Sequence, residues 1–235
     1  MAFKCKIGLH SWNGCKCSDC EKTRDEQHDW SNDCEKCSKC GKTRDGNQEW
    51  MIKNLDIVRF RNGDLIPEVK IREDWNSMGN NGKPAWCYFD NDPSNGNQSG
   101  KIYNGHAIAD PRGLAPLGYH IPTQKEFEKL IQTVKGHGNA LKSIGQGIGK
   151  GSGSNESGFS AIIAGFRGNA GYFVSKGERT GFWSLTLADS SNRTSGFTIG
   201  PSPYSFWMEV DNTTDNIYIN NNGFSYGFSV RCVKD

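Results

Sequence analysis

The sequence predicts an α+β fold with few helices, short strands and long loops, preceded by a small cysteine-rich module. Seven of the nine cysteines lie within residues 1–45, and beyond them glycine, asparagine, serine and aromatic residues become frequent. In this second part only one segment has a clear helical pattern, and short aromatic or β-branched runs alternate with turn-forming residues. We therefore expect two domains, residues 1–45 and residues 46–235.

The N-terminal module contains one pattern twice. Histidine, tryptophan, three cysteines and an arginine follow in the same order in both copies, which end at Arg24 and Arg44. Closely spaced cysteines near a histidine suit Zn²⁺, because a tight turn lets two thiolates reach one tetrahedral ion at about 2.3 Å. The module also has too few apolar residues to offset its chain entropy by burial. It is therefore predicted to be a zinc-ribbon-like module, with a disulfide framework or a redox centre as the competing interpretations.

The expected zinc ligands are all the cysteines and histidines of the module: Cys5, His10, Cys15, Cys17, Cys20, His28, Cys34, Cys37 and Cys40. Either each copy forms its own site, or two sites interlock across the repeat boundary, and the spacing leaves both arrangements open. Closed four-ligand sites are structural, since a catalytic zinc keeps one position for water. Basic and acidic residues alternate in the module, so it has no single-sign patch for nucleic acid. A spacer or protein-docking role is expected.

Length and charge narrow the class of protein. At 235 residues and a formal net charge of +2, the chain fits one small metal module and one domain of ordinary size, with no charge-driven partner. It has no apolar run that could span a bilayer, and its first residues do not resemble a signal peptide. We expect synthesis in the reducing cytoplasm, where thiolates meet zinc before oxidation, and leave open later transfer to a particle or a cell surface.

One helix is predicted from Thr123 to about Val134. Thr123 and Glu126 have the spacing of a capping box, in which each side chain bonds to the other residue's backbone amide. The apolar residues that follow recur at helical spacing: Phe127, Leu130, Ile131 and Val134. A weaker helix is expected either over residues 107–111 or around residues 140–144.

The region after the helix is expected to consist of short strands and long loops. Its glycine- and serine-rich stretch, residues 145–158, has the composition of a mobile loop, although such a stretch also packs tightly against aromatic rings. Four aromatic residues that flank glycine-rich turns along the domain are expected to form the core: Trp50, Trp86, Phe182 and Trp183.

Sequence blocks spread over residues 48–235 carry a resemblance. The blocks begin at Gln48, Trp86, Gly100, Asp110, Gly118, Ser157, Gly165, Phe182 and Tyr226. In this order they resemble the Fibrobacter succinogenes major paralogous domain, which implies a C-type-lectin-like fold. The chain departs from the family at Tyr103-Asn104-Gly105-His106 and by an insertion between Ser191 and Tyr204. The N-terminal part is similar to a cysteine-rich repeat attached to diverse bacterial proteins.

Several polar residues in these blocks are expected to support the scaffold. Arg112, Arg167 and Arg231 are expected to hydrogen-bond loop carbonyls. Cys87 and Cys232 either form a disulfide or remain free buried thiols.

Catalysis is not expected. Similar folds include formylglycine-generating enzymes and sulfoxide synthases, which need reactive cysteines or a three-ligand metal site. Here the domain has two cysteines and three scattered histidines, and lacks the calcium tripeptides of sugar-binding lectins. Residues 90–93 have the composition of either a hard-cation site or, more simply, a turn. An enzyme that oxidises a cysteine or sulfur substrate stays the alternative.

The C-terminal segment is the expected binding surface. Between residues 189 and 225, small hydrogen-bonding residues alternate with single aromatic rings, as in recognition loops, although a polar loop region with buried rings has a similar composition. The predicted solvent-facing residues are Trp207, Asn212, Asp215, Tyr218, Asn220, Asn222 and Phe224. The segment also resembles that of variable proteins of diversity-generating retroelements, which implies a protein or glycan ligand. A structural or assembly component of a phage or cell-surface particle is a third interpretation.

Overall fold

The computed structural model describes residues 12–13, 16–17, 48–188 and 203–235. The chain divides into two compact units, Met1–Asn47 and Gln48–Asp235. In the first unit, the described backbone is an antiparallel pair formed by β1 (Trp12–Asn13) and β2 (Lys16–Cys17). The predicted zinc ligands lie outside the described residues, except that the backbone of Cys17 belongs to β2.

The second unit mixes helices and antiparallel sheets, which confirms the predicted α+β class. Its described residues form four α-helices: α1 (Arg72–Asn80), α2 (Gly96–Ser99), α3 (Gly105–Ile108) and α4 (Gln124–Thr133). Its strands are β3 (Trp86–Cys87), β4 (Ile102–Asn104), β5 (Tyr119–His120), β6 (Phe166–Arg167), β7 (Phe173–Val174), β8 (Arg179–Ala188), β9 (Tyr204–Asp211), β10 (Ile217–Gly223), β11 (Gly227–Phe228) and β12 (Val233–Lys234). Among the described residues, no helix is both long and apolar enough to cross a membrane.

Three sheets organise this unit. A five-stranded sheet has the order β3-β4-β11-β6-β7, a three-stranded sheet has the order β10-β9-β8, and β12 pairs with β5. Aromatic rings join the first two sheets: Phe228 of β11 stacks on Trp207 of β9 at 4.3 Å between centroids and meets the edge of Trp183 of β8 at 4.8 Å. The expectation that large rings fill the core is confirmed for Trp183, which is fully buried.

Helix α4 confirms the capping-box prediction. The Thr123 side chain accepts a hydrogen bond from the Glu126 amide, and Glu126 accepts one from the Thr123 amide at 2.7 Å. Phe127 and Leu130 are buried against the face of the three-stranded sheet that carries Met208.

Helix α1 is absent from the sequence prediction. Within it only Trp75 and Gly79 are buried, so no apolar stripe marks the helix. The indole of Trp75 donates to the Ser225 carbonyl at 2.9 Å, which shows that tertiary packing supports this helix. Of the two weaker helix predictions, the first corresponds to α3, which begins earlier, at Gly105, where Asn104 caps it.

The expectation of short strands after residue 145 is wrong for the three-stranded sheet. β8, β9 and β10 have 10, 8 and 7 residues. Five consecutive residues of β8, from Thr180 to Ser184, are buried, so this strand lacks the alternating pattern of a half-exposed strand.

The glycine-rich stretch packs closely against the turn between β9 and β10. A Cβ atom on Gly151 would lie 2.3 Å from the Asn212 carbonyl oxygen, so only glycine fits there. Ile148 donates its amide to the same carbonyl at 2.7 Å. Of the two interpretations of residues 145–158, the structure shows the tightly packed one.

The arginine prediction is confirmed at two of three positions. Arg167 donates to the Val69, Lys70 and Gly171 carbonyls, and Arg231 donates to the Met51 and Phe159 carbonyls. It is wrong for Arg112, which instead pairs with the Asp110 and Asp64 carboxylates at 2.8 and 3.1 Å. Arg112 lies at the surface, where carboxylates are available in place of buried carbonyls.

Candidate functional site

The register of the three-stranded sheet brings three of the predicted residues onto one face. Tyr218 lies opposite Glu209, Asn220 opposite Trp207, and Asn222 opposite Ser205. Side chains alternate along a strand, so these three residues of β10 share a face, while Ile217 and Ile219 point to the other face and pack on the α4 side. We call Arg179, Glu209, Tyr218, Asn220 and Asn222 the outer face.

Glu209 is the unusual member of the outer face. Its side chain is 9% exposed, yet its nearest charged partner, Arg179, lies 3.6 Å away, and the Asn220 amide donates at 3.5 Å. Both distances are long for hydrogen bonds to a carboxylate. Burial raises the pKa of Glu209, and Arg179 opposes this shift only in part. The carboxylate therefore retains accepting capacity that the described residues do not use well.

The other outer-face residues lie on the same face of the sheet and carry hydrogen-bond donors and acceptors. Tyr218 is 43% exposed, and its hydroxyl accepts from the Asn216 amide at 3.0 Å. Asn220 and Asn222 are half-buried. In the amide orientation that satisfies its neighbours, Asn222 accepts from the Trp207 indole at 3.2 Å. The outer face thus combines one exposed ring with a row of amides.

Two predicted solvent-facing residues belong to the core, so the prediction is wrong for them. Trp207 and Phe224 are 5% and 3% exposed. The Trp207 ring stacks on Phe228, and the Phe224 ring meets His106 at 5.2 Å. Burial of these large apolar rings against rings from other parts of the domain is favourable and keeps them away from solvent.

Asn212 and Asp215 lie at the other end of the hairpin, in the β9–β10 turn. The Asn212 side chain donates to the Gly177 carbonyl at 2.6 Å. Asp215 accepts from the Asn139 amide and from His137 Nδ1, each at 2.7 Å. Partial burial acts to raise the pKa of Asp215, but these hydrogen bonds outweigh it and the pKa is lowered. Both side chains are thus committed to holding the turn.

Lys142 also stabilises the β9–β10 turn. Its side chain is buried, and Nζ donates to the Asp211 and Thr214 carbonyls at 2.8 Å each. Burial lowers the pKa of Lys142, although the nearby carboxylates of Asp211 and Asp215 oppose the shift. The turn is therefore a rigid support for the strands that carry the outer face.

Two cysteines and one histidine of this domain, Cys87, Cys232 and His120, lie outside the outer face. Cys87 and Cys232 are free and buried, and burial raises the pKa of each thiol to about 12. His120 lies between Glu126 and Asp235 at 2.7 and 2.8 Å. Burial alone acts to lower its pKa, but the hydrogen bonds to the two carboxylates give a net upward shift.

Among the described residues, no group of three or more histidine, cysteine or acidic side chains is placed to hold a metal ion. At residues 90–93, Asp92 accepts from the Ser94 amide at 2.9 Å within a pair of single 3₁₀ turns. This is the turn interpretation of the segment.

Sequence reasoning missed Arg179 and Glu209. Glu209 is the one charge in the run Phe206-Trp207-Met208-Glu209-Val210, and a lone carboxylate inside an apolar strand is a signal of an unusual environment. Arg179 gives no such signal, because its position beside Glu209 depends on the pairing of β8 with β9.

Comparison with protein families matches residues 44–234 to the Fibrobacter succinogenes major domain. Comparisons with curated proteins and with solved structures gave no match. The match covers the whole of the described second unit except its last residue and includes every residue of the outer face. The chain therefore belongs to the Fibrobacter succinogenes major domain family.

Proposed function

We propose that the protein is a non-enzymatic ligand-binding protein, whose second unit is a C-type-lectin-like scaffold that presents the outer face to a protein or glycan. The observation that carries the proposal is Glu209, a nearly buried carboxylate with only long contacts to Arg179 and Asn220. A buried polar group without good partners in a folded protein calls for an explanation, and a bound ligand supplies one.

The rigidity of the surroundings supports a binding role. Five hydrogen bonds from residues 138–151 hold the β9–β10 turn, and β9 is also fixed by the stacking of Trp207 on Phe228. A site that is ordered before the ligand arrives loses less conformational entropy on binding. The strands that carry the outer face are held by these contacts before any ligand binds.

The state of the thiols favours binding over sulfur oxidation. The thiolate is the reactive form of cysteine, and a thiol whose pKa is about 12 is almost entirely protonated at neutral pH. Neither Cys87 nor Cys232 is open to a substrate, since both are buried. An oxidising enzyme therefore stays the weaker candidate.

For the first unit we propose two structural zinc ions per chain, held by the nine cysteines and histidines before residue 41, with attachment to another protein as the role. The repeated spacing supports this proposal. Elemental analysis of protein purified without added metal should give a ratio near two, and chelation should unfold only the first unit, because metal binding there is folding energy. A ratio near zero with the thiols paired as disulfides would contradict it.

A diversified surface is a further part of the proposal. The segment between residues 189 and 225 includes all of β9 and β10, so codon changes there would alter the outer face at every position except Arg179 and leave the sequences of α4 and β11 unchanged. The nucleotide neighbourhood tests this directly. A reverse transcriptase gene and a near-copy of the last coding stretch are expected, and their absence leaves a fixed binding surface or a particle component.

Binding itself can be tested with fractionated bacterial envelopes. The full chain and a Tyr218→Ala/Asn220→Ala double variant are immobilised, and each is exposed to a polysaccharide fraction and to a surface-protein fraction. We expect one fraction to be retained at least about tenfold more by the wild type, the size expected for a few hot-spot residues. Equal retention of every fraction by both proteins would place the site elsewhere.

A further inference from the structure

The outer face carries one positive and one negative side chain close together. Arg179 and Glu209 are 3.6 Å apart, and their side chains are 48% and 9% exposed. A second cation at Glu209 would be repelled by Arg179, and an anion at Arg179 would be repelled by Glu209. The charges therefore favour a ligand with no net charge.

The hydrogen-bonding groups of the face are of both kinds. The guanidinium of Arg179 only donates, the carboxylate of Glu209 only accepts, and Tyr218, Asn220 and Asn222 do both. A ligand hydroxyl has one donor and two acceptor positions, so neighbouring hydroxyls can donate to Glu209 and accept from Arg179 or Asn220. Hydroxyls use this mixed set more fully than ammonium groups or carboxylates, which offer only one kind.

An exposed ring stands beside these groups. Tyr218 is the cross-strand neighbour of Glu209 on β10, and its 43% exposed ring offers an apolar surface next to the carboxylate. On the β8 side the neighbour is Gly181, whose lack of a side chain leaves room for the Trp207 and Phe228 rings, so the exposed apolar surface is that of Tyr218. The arrangement suits a small ligand with a polar rim and an apolar face, as in a sugar ring.

We propose that the outer face binds a neutral saccharide, with Glu209 and Arg179 as the groups that recognise its hydroxyls. This inference rests on the proposed binding function and narrows its ligand from a protein or glycan to a glycan. Arg179 and Glu209 lie in strands β8 and β9, so a search for exposed recognition loops overlooks them.

The test uses the full chain, uniformly labelled with ¹⁵N, and backbone amide spectra. The probes are methyl glycosides of neutral hexoses, 6-deoxyhexoses and N-acetylhexosamines at millimolar concentration, with glucuronate as the anionic probe and an acetylated lysine amide as the cationic probe. We expect at least one neutral glycoside to shift the Tyr218 and Asn220 amides saturably, and neither charged probe to do so.

Two variants complete the test. Glu209→Gln keeps the shape but loses the carboxylate, and should weaken the neutral glycoside by at least about tenfold, a loss of about 1.4 kcal/mol. Glu128→Gln is the matched control, because Glu128 is exposed on α4, and α4 packs on the opposite face of the sheet. It should bind like the wild type.

The outcomes separate this inference from the binding function. If no glycoside shifts these amides while the surface-protein fraction still distinguishes wild type from the Tyr218/Asn220 variant, the saccharide inference is overturned and the binding function stands. If a charged probe shifts these amides instead, the prediction of a ligand with no net charge is wrong. If no probe and no envelope fraction depends on the outer face, both proposals fail.

Discussion

The turn of the β9–β10 hairpin and the outer face next to it are built from the same kinds of residue but are held very differently. In the turn, Asp211, Asn212 and Asp215 have their polar atoms satisfied at 2.6 to 2.8 Å by backbone groups and by His137. On the outer face, Glu209 meets its partners only at 3.5 to 3.6 Å. The comparison teaches that polar composition alone does not predict how well the polar groups of a segment are hydrogen-bonded.

Removing the ammonium group under the turn should have the largest effect on stability. Lys142→Met retains the buried stem but leaves the Asp211 and Thr214 carbonyls without their donor. Each unsatisfied buried group costs about 1–3 kcal/mol, so we expect the free energy of unfolding to fall by roughly 3 kcal/mol. Urea unfolding measures this, and a loss below about 0.5 kcal/mol would show that the turn does not depend on Lys142.

A milder change in the turn should cost less. Asp215→Asn preserves one acceptor for the Asn139 amide but loses the ion pair with His137. The pair is partly exposed and therefore weak, so a loss of about 1 kcal/mol is expected, mostly from the charged hydrogen bond to the amide. Ligand binding should be unchanged, because the Asp215 side chain bonds to His137 and Asn139 and is not part of the outer face.

On the outer face the sign of the effect should reverse. The pKa of Glu209 is raised in the folded protein, so the folded state binds its proton more tightly than the unfolded state, and stability falls as the pH rises from about 4.3 through the folded pKa. Glu209→Gln removes this loss and should raise the free energy of unfolding at pH 7 by up to about 1 kcal/mol. The advantage should vanish near pH 4, and thermal unfolding at the two pH values checks it.

The smallest stability effects are expected at the exposed positions of β10. Tyr218→Ala and Asn220→Ala remove side chains that contribute little to the core, so each should change the free energy of unfolding by no more than about 0.5 kcal/mol. Their effect should appear in binding alone. Losses of several kcal/mol would mean that these side chains support the sheet. The outer face and the β9–β10 turn would then have the same structural role.

The sequence predicted elements whose signals are local. Thr123 and Glu126 define the start of α4 by their spacing, and the apolar residues that follow define its buried face. Helix α1 has no such pattern, because its one large buried side chain, Trp75, is held by a hydrogen bond to Ser225, distant in sequence. The sequence blocks predicted the family, which the match over residues 44–234 confirms.

The candidate site was predicted in part, for a similar reason. Tyr218, Asn220 and Asn222 alternate along one strand, and the pairing with β9 places them on a common face. Trp207 and Phe224 come from the same segment of the chain, yet each is buried by rings that come from other strands. Which ring is covered, and which charge lies beside which, depends on the pairing of β8, β9 and β11, and no local pattern contains it.

The most direct test of the two roles measures unfolding and binding on the same two variants. Glu209→Gln and Asp215→Asn each replace one carboxylate by its amide, and binding is followed with the neutral glycoside or envelope fraction that the wild type retains. We predict that Glu209→Gln melts at a higher temperature at pH 7 and loses binding, while Asp215→Asn melts at a lower temperature and retains it. The opposite pattern, a destabilised Glu209→Gln variant that still binds, would contradict the assignment of the outer face to recognition and the turn to support.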